Sequence, residues 1–406
     1  MTLFSFLQKN LRWVAGGFLL GFGASFGQTF FIAQFSADIR ATYNLSHGDF
    51  GSIYMLATLA SAATIIYLGK VVDYYRPVVV GCTAIVILAG FSFLMSWHNS
   101  LIVLGFCLYG LRLFGQGMLP HTSLTAMSRW FHSSRGKALS LASFGNMAGE
   151  ALLPLAAVSL MAIFSWRDLW LVSAGILLAI MLPLAYLTLR KDRTPENPLT
   201  SPTSTRPAVS WTRKQVMADW RFWVVMAAVL AVPFLVTGMM FHQVHFMEAK
   251  GWGRAVLPSY LPLYAAAGAV FSILAGMLID RFSAVALLPF SVVPLGISVL
   301  VFAFADEVYF VPVGLSILAI TVGSWGAIAS AVLAELYGTA HLGAIRSIYS
   351  ALMVFASALA PGLMGVLVDY GVELDTQFAV SSLYCFGLGV ILLAVKPHLQ
   401  LTRLPA

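Results

Sequence analysis

Gly69-Lys70-Val71-Val72-Asp73 returns 207 residues later as Gly276-Met277-Leu278-Ile279-Asp280. Each copy closes an apolar run and opens a short charged turn. The same offset relates Gly136 to Gly343, Ser140 to Ser347, Ser143 to Ser350 and Pro154 to Pro361. These matches fall at corresponding places of the two halves, at a turn and along a following span, and are read as a duplicated unit. Parallel repeats of this kind are a recurrent design of membrane transporters.

Apolar runs of about 20 residues, the length of helix that crosses the hydrocarbon core, flank both copies. Twelve are present, at 13–36, 47–69, 77–97, 100–127, 137–164, 168–189, 221–246, 256–279, 285–305, 308–334, 344–368 and 376–395. Between the sixth and seventh, Pro195, Pro198, Pro202 and Pro207 stand among Ser, Thr and Arg, which reads as a solvated linker. The expected fold is an all-α membrane protein of twelve transmembrane helices in two pseudo-symmetric six-helix bundles. The N-terminal bundle takes 1–189, a cytoplasmic linker 190–219 and the C-terminal bundle 220–406.

Composition agrees. Hydrophobic residues make up 60% of the chain, charged residues only 10%, and the mean hydropathy is +0.87. A soluble chain needs far more charge than this. The aromatic share of 13% suits rings at two water–lipid interfaces. The net charge of +7 does not point to nucleic acid, because the basic residues fall in short turns between apolar runs. With both termini and the linker in the cytoplasm, 18 of the 23 Lys and Arg lie on that side and 4 on the other. That bias sets the expected orientation and suits a bacterial inner membrane. Cys82, Cys107 and Cys385 all lie inside apolar runs, without metal or disulfide spacing. Lys9 and Arg12 precede a run that no small-residue cleavage site closes, so it reads as a retained first span.

Two ionisable residues lie deepest in the runs. Arg112 stands in span four and Glu150 in span five, each about 12–13 residues from an end, which at 1.5 Å per residue is roughly the midplane. The spans are consecutive and antiparallel, so the two side chains can face each other. A charge at that depth costs on the order of 2.5–3.5 kcal/mol even on the lenient insertion scale. Either the pair is a static ion pair, or it is a substrate and proton site with Glu150 as the protonatable group. Gly145-x-x-x-Gly149 permits close helix packing beside Glu150, and Pro154 allows bending. Gln28 and Trp325 are pocket candidates. His121, about two turns from Arg112, is a candidate for the cavity wall. His242 and His245 share a helical face near the end of span seven and suit a polar vestibule better than a metal site, since no third ligand is near. Gly23-Ala24-Ser25-Phe26-Gly27 matches a nucleophile elbow but lies within an apolar helix, which is the wrong context. Nothing in the sequence calls for a cofactor, a metal or an enzyme active site, and no ATP-binding module is present.

These features resemble the major facilitator superfamily over nearly the whole chain. Its turn signature between spans two and three is matched by Gly69, Asp73 and a displaced basic residue, Arg76, with Tyr74 where an arginine usually stands. The second copy keeps Gly276, Asp280 and Arg281. Arg112-Leu113-Phe114-Gly115-Gln116-Gly117 looks like the family's span-four segment, linked with proton coupling or anion contact. Arg129-Trp130-Phe131 with Arg135-Gly136-Lys137-Ala138 resembles its turn between spans four and five. The resemblance implies alternating access between two bundles and a conformational role for the two turns. The stretch Gly338–Arg346 and the Asp280 turn look like the monocarboxylate-porter-like branch. That branch implies a small organic anion moved with protons, Arg112 on the carboxylate and Glu150 carrying the proton; the expected form is a monomer. Span eight, without a charge, departs from that branch. Proton-driven export of lipophilic or cationic compounds is the alternative.

Overall fold

The computed structural model describes residues 3–131, 134–193, 211–338 and 341–400. The linker prolines lie outside the described residues, as do Thr339 and Ala340 of the Gly338–Arg346 stretch. Among the described residues the chain is helical without strands. Eleven helices are long and apolar enough to cross a bilayer, and a bent pair, Ser5–Gly27 with Thr29–Tyr43, makes a twelfth. Spans two to six run over His47–Tyr74, Pro77–Trp97, Leu101–Trp130, Arg135–Met161 and Trp166–Leu189. Spans seven to twelve run over Trp220–Phe241, Val256–Phe282, Ala284–Ala303, Phe310–Tyr337, Leu342–Asp369 and Leu374–Leu399.

Two spans differ from their expected form. Span one is bent by 44° rather than straight. Its α-helix ends at Ala24, a 3₁₀ turn covers Ser25–Gly27, and Gln28 is extended at φ −85°, ψ 154°. Span seven stops at Phe241, because His242 leaves the helical region at φ −92°, ψ 10°, and a separate short helix runs from Gln243 to Ala249.

The chain divides into two compact units. Among the described residues, the first holds those up to Ser46 and from Ser52 to Arg193; the second holds those from Trp211 onward together with His47–Gly51. Within the first unit, span one packs on spans four, five and six, and span three on spans four and six. Within the second, span seven packs on eleven and twelve, eight on ten, and nine on ten and twelve. The pairings one–five and three–six thus recur as seven–eleven and nine–twelve, the packing counterpart of the repeated turns.

Large apolar side chains such as Ile66, Ile102, Ile163, Ile273 and Leu383 are exposed. So much exposed apolar surface is untenable in water and natural against acyl chains. Helices are suited to that environment because each satisfies its own backbone groups. The second unit buries two clusters along its spans, one around Leu235, Leu261, Phe302 and Phe378, the other around Phe222, Leu288, Leu333 and Leu392. Trp325 packs against both.

Candidate functional site

The site of interest forms in the first unit, where span one breaks. Gly27 is the reason the break can form there. A Cβ on Gly27 would lie 2.1 Å from the Leu111 carbonyl oxygen and 2.7 Å from the Gly115 Cα. A Cβ on Gly115 would lie 2.5 Å from the Gly27 Cα. Spans one and four therefore meet backbone to backbone, as only a pair of glycines permits. Span four answers with a π-helical stretch over Leu111–Met118, a form frequent at functional sites.

The contact makes a prediction. Gly27→Ala puts a methyl group against a carbonyl that cannot move without shifting span four, at a cost of about 1–3 kcal/mol. A Cβ on Gly175 meets nothing within 4 Å. The unfolding temperature in detergent is expected to fall for Gly27→Ala and to hold for Gly175→Ala.

Arg112 projects from the π-helical stretch and is 1% exposed. Its Nη1 donates to the Gly27 carbonyl at 3.3 Å and to Thr29 Oγ1 at 3.2 Å. Its Cζ lies 5.2 Å from the centre of the Tyr54 ring, and the Tyr54 hydroxyl is hydrogen-bonded to Thr29 Oγ1 at 2.8 Å. Nε has no acceptor among the described residues. All the partners are neutral. The ring contact is worth about 0.5–2 kcal/mol, and both hydrogen bonds sit at or beyond the long end of the usual range. These contacts hold the guanidinium in place without neutralising it.

Glu150 does not complete the pair that its depth in span five suggested. Among the described residues it has no hydrogen-bond or ion-pair partner, and Arg112 forms no ion pair. Instead, Gln28 Nε2 donates to Asn146 Oδ1 at 3.3 Å, and Asn146 precedes Glu150 by four residues on one helical face. Close packing at Gly145 and Gly149 is present. A Cβ there would lie 2.0 Å from the Phe18 carbonyl oxygen and 2.0 Å from Ser25 Oγ, respectively.

The other expected residues stand elsewhere. His121 is exposed and reaches the Gly69 carbonyl through Nε2 at 3.2 Å, so it belongs to the turn after span two and not to the surroundings of Arg112. At that turn Asp73 pairs with Arg129, which also donates to the Val72 carbonyl, and Arg76 pairs with Asp192 at 2.6 Å. These pairs are exposed and contribute little stability. The second copy is built differently. Asp280 has no such partner among the described residues, Gly276 faces open space, and Arg281 lies over the Phe282 ring at 5.1 Å. There the Glu335 carboxylate accepts from the Ala284 and Val285 N–H groups at 2.8 and 3.0 Å, capping the start of span nine.

In the second unit, Trp325 donates from Nε1 to the Val229 carbonyl at 3.0 Å. His245 lies 3.8 Å from Glu373, with its ring 4.0 Å from that of His47. His242 is buried and donates from Nε2 to the Pro361 carbonyl at 3.0 Å. No group of three or more metal-binding side chains forms among the described residues.

Sequence reading missed Thr29, Tyr54 and Asn146. The four-residue spacing from Glu150 marks Asn146 in hindsight. No local signal marks Tyr54, which meets Arg112 only through tertiary packing.

Residues 17–303 match the sequence profile described as Major Facilitator Superfamily. A comparison with curated protein sequences gave no match. Among solved structures, the fold is similar to a bacterial homologue of the human lysosomal transporter Spinster in an inward-facing, unoccupied conformation. That similarity has a TM-score of 0.67 at 17% identity, over 96% of each chain. The nucleoside transporter NupG, solved as an aspartate-to-alanine variant, is similar with a TM-score of 0.70 at 12% identity, over 96% of this chain and 99% of that one.

Proposed function

Because this chain belongs to the major facilitator superfamily, a family of multi-pass membrane transporters and not of enzymes, we propose that it is a proton-coupled symporter of small organic anions. It works by alternating access, as a monomer in a bacterial inner membrane with both termini cytoplasmic. Arg112 contacts the carboxylate of the substrate, and Glu150 takes up the proton on one side and releases it on the other. The observation that carries this reading is a buried guanidinium held only by neutral groups, with Nε unengaged. A guanidinium keeps its charge in proteins, and a charge kept within the membrane calls for a partner. An anionic substrate supplies one. A monocarboxylate meets that need with one charge.

Proton-driven export of lipophilic or cationic compounds is the second reading. It is favoured by the same lack of a partner for Glu150, which leaves a carboxylate available to a cation.

Purified protein in liposomes separates the two. Labelled pyruvate, lactate and benzoate are tested for uptake beside ethidium, with the internal pH recorded. Carboxylate entry accompanied by internal acidification is expected. Ethidium movement against a proton flux, without carboxylate entry, overturns the symport reading.

A further inference from the structure

Three consecutive residues of span one connect the two halves of the proposed mechanism. The Gly27 carbonyl and the Thr29 hydroxyl hold Arg112. Gln28, between them, reaches the other way to Asn146 of span five. Gln28 alone is extended, between the 3₁₀ turn that ends at Gly27 and the helix that begins at Thr29, and its side chain leaves toward span five. Asn146 and Glu150 share one face of span five. Span one also abuts span five without slack, because a Cβ on Gly149 would lie 2.0 Å from Ser25 Oγ.

We infer that this break is the coupling element of the transporter, and that Gln28 and Asn146 are positioning residues that tie the occupancy of Arg112 to the protonation of Glu150. The inference rests on the symport reading above. An anion on Arg112 competes with Gly27 and Thr29 for its N–H groups. The two existing bonds, at 3.3 and 3.2 Å, go to neutral acceptors, against which a carboxylate makes the stronger, charge-assisted bond. Released, the 27–29 segment shifts, and the Gln28–Asn146 bond carries the shift to the face that bears Glu150. The coupling is reciprocal, so protonation of Glu150 changes anion affinity by the same factor.

The test uses the full chain in liposomes with labelled pyruvate and benzoate as probes. Equilibrium exchange is measured without a gradient, and accumulation under a fixed inward proton gradient. Asn146→Leu is expected to keep exchange within twofold of the unaltered protein and to lose at least fivefold in accumulation. The swapped pair Gln28→Asn with Asn146→Gln restores the hydrogen-bonding groups and is expected to recover accumulation. Full accumulation by Asn146→Leu overturns the inference, as does parallel loss of exchange and accumulation, which marks a residue needed for binding or folding. Failure of the swapped pair to recover overturns it too. The controls keep two failures apart. Accumulation that survives both Arg112→Ala and Glu150→Gln, or a protein that moves neither probe, removes the symport reading and this inference with it. Accumulation lost in those two variants and retained in Asn146→Leu removes only the coupling role of the break.

Discussion

Glu150→Gln is expected to yield a protein that exchanges substrate across a membrane and no longer concentrates it. The amide matches the protonated carboxyl in size and in lack of charge, and it cannot release a proton. The variant is therefore held in the form that accompanies loaded substrate. Exchange needs only that loaded form, whereas net accumulation needs return of the empty carrier after the proton has left. Nothing among the described residues compensates, since Glu150 has no ionic partner that removing the charge would disturb. The measurement is counterflow of labelled carboxylate set against gradient-driven uptake in the same liposomes. Accumulation equal to that of the unaltered protein takes Glu150 out of the coupling role.

Arg112→Ala is expected to weaken carboxylate binding by more than about tenfold, or roughly 1.4 kcal/mol. The variant removes the deep cation and leaves Thr29, Tyr54 and the Gly27 carbonyl to pair among themselves. Thr29 and Tyr54 already share a 2.8 Å hydrogen bond, so the pocket keeps its neutral contacts while losing its charge. The fold is expected to tolerate the change, because burying an unpaired guanidinium is itself costly. Titration of purified protein with a carboxylate and with its neutral amide checks the cause. Carboxylate affinity falls and amide affinity stays. Equal carboxylate affinity in the two proteins makes Arg112 a structural residue.

The legible part of the site was its depth. Arg112 and Glu150 stand out because charges are rare in apolar runs, and that judgement needs no geometry. Gly145 and Gly149 were legible for a similar reason, since small residues four apart on a helix mark close approach. The partners of Arg112 were not legible. Counting residues along straight helices brought Arg112 and Glu150 together, but span four carries a π-helical stretch at Arg112. A π-helical stretch changes the phase of the helix beyond it, so residue counting no longer says which face a side chain takes. His121 illustrates the same limit. It lies within about three turns of Arg112 in sequence, yet it serves the Gly69 turn.

The amino-acid order alone determined the number of spans, the duplication and the class of protein. Each depends on properties that add up along the chain: apolar length, the placement of charge, and recurrence at a fixed offset. Only the tertiary structure decided that Thr29, Tyr54 and the Gly27 carbonyl hold Arg112, and that Gln28 turns to Asn146. Those partnerships arise where backbones touch at Gly27 and Gly115, a contact between residues 88 positions apart that no local pattern encodes.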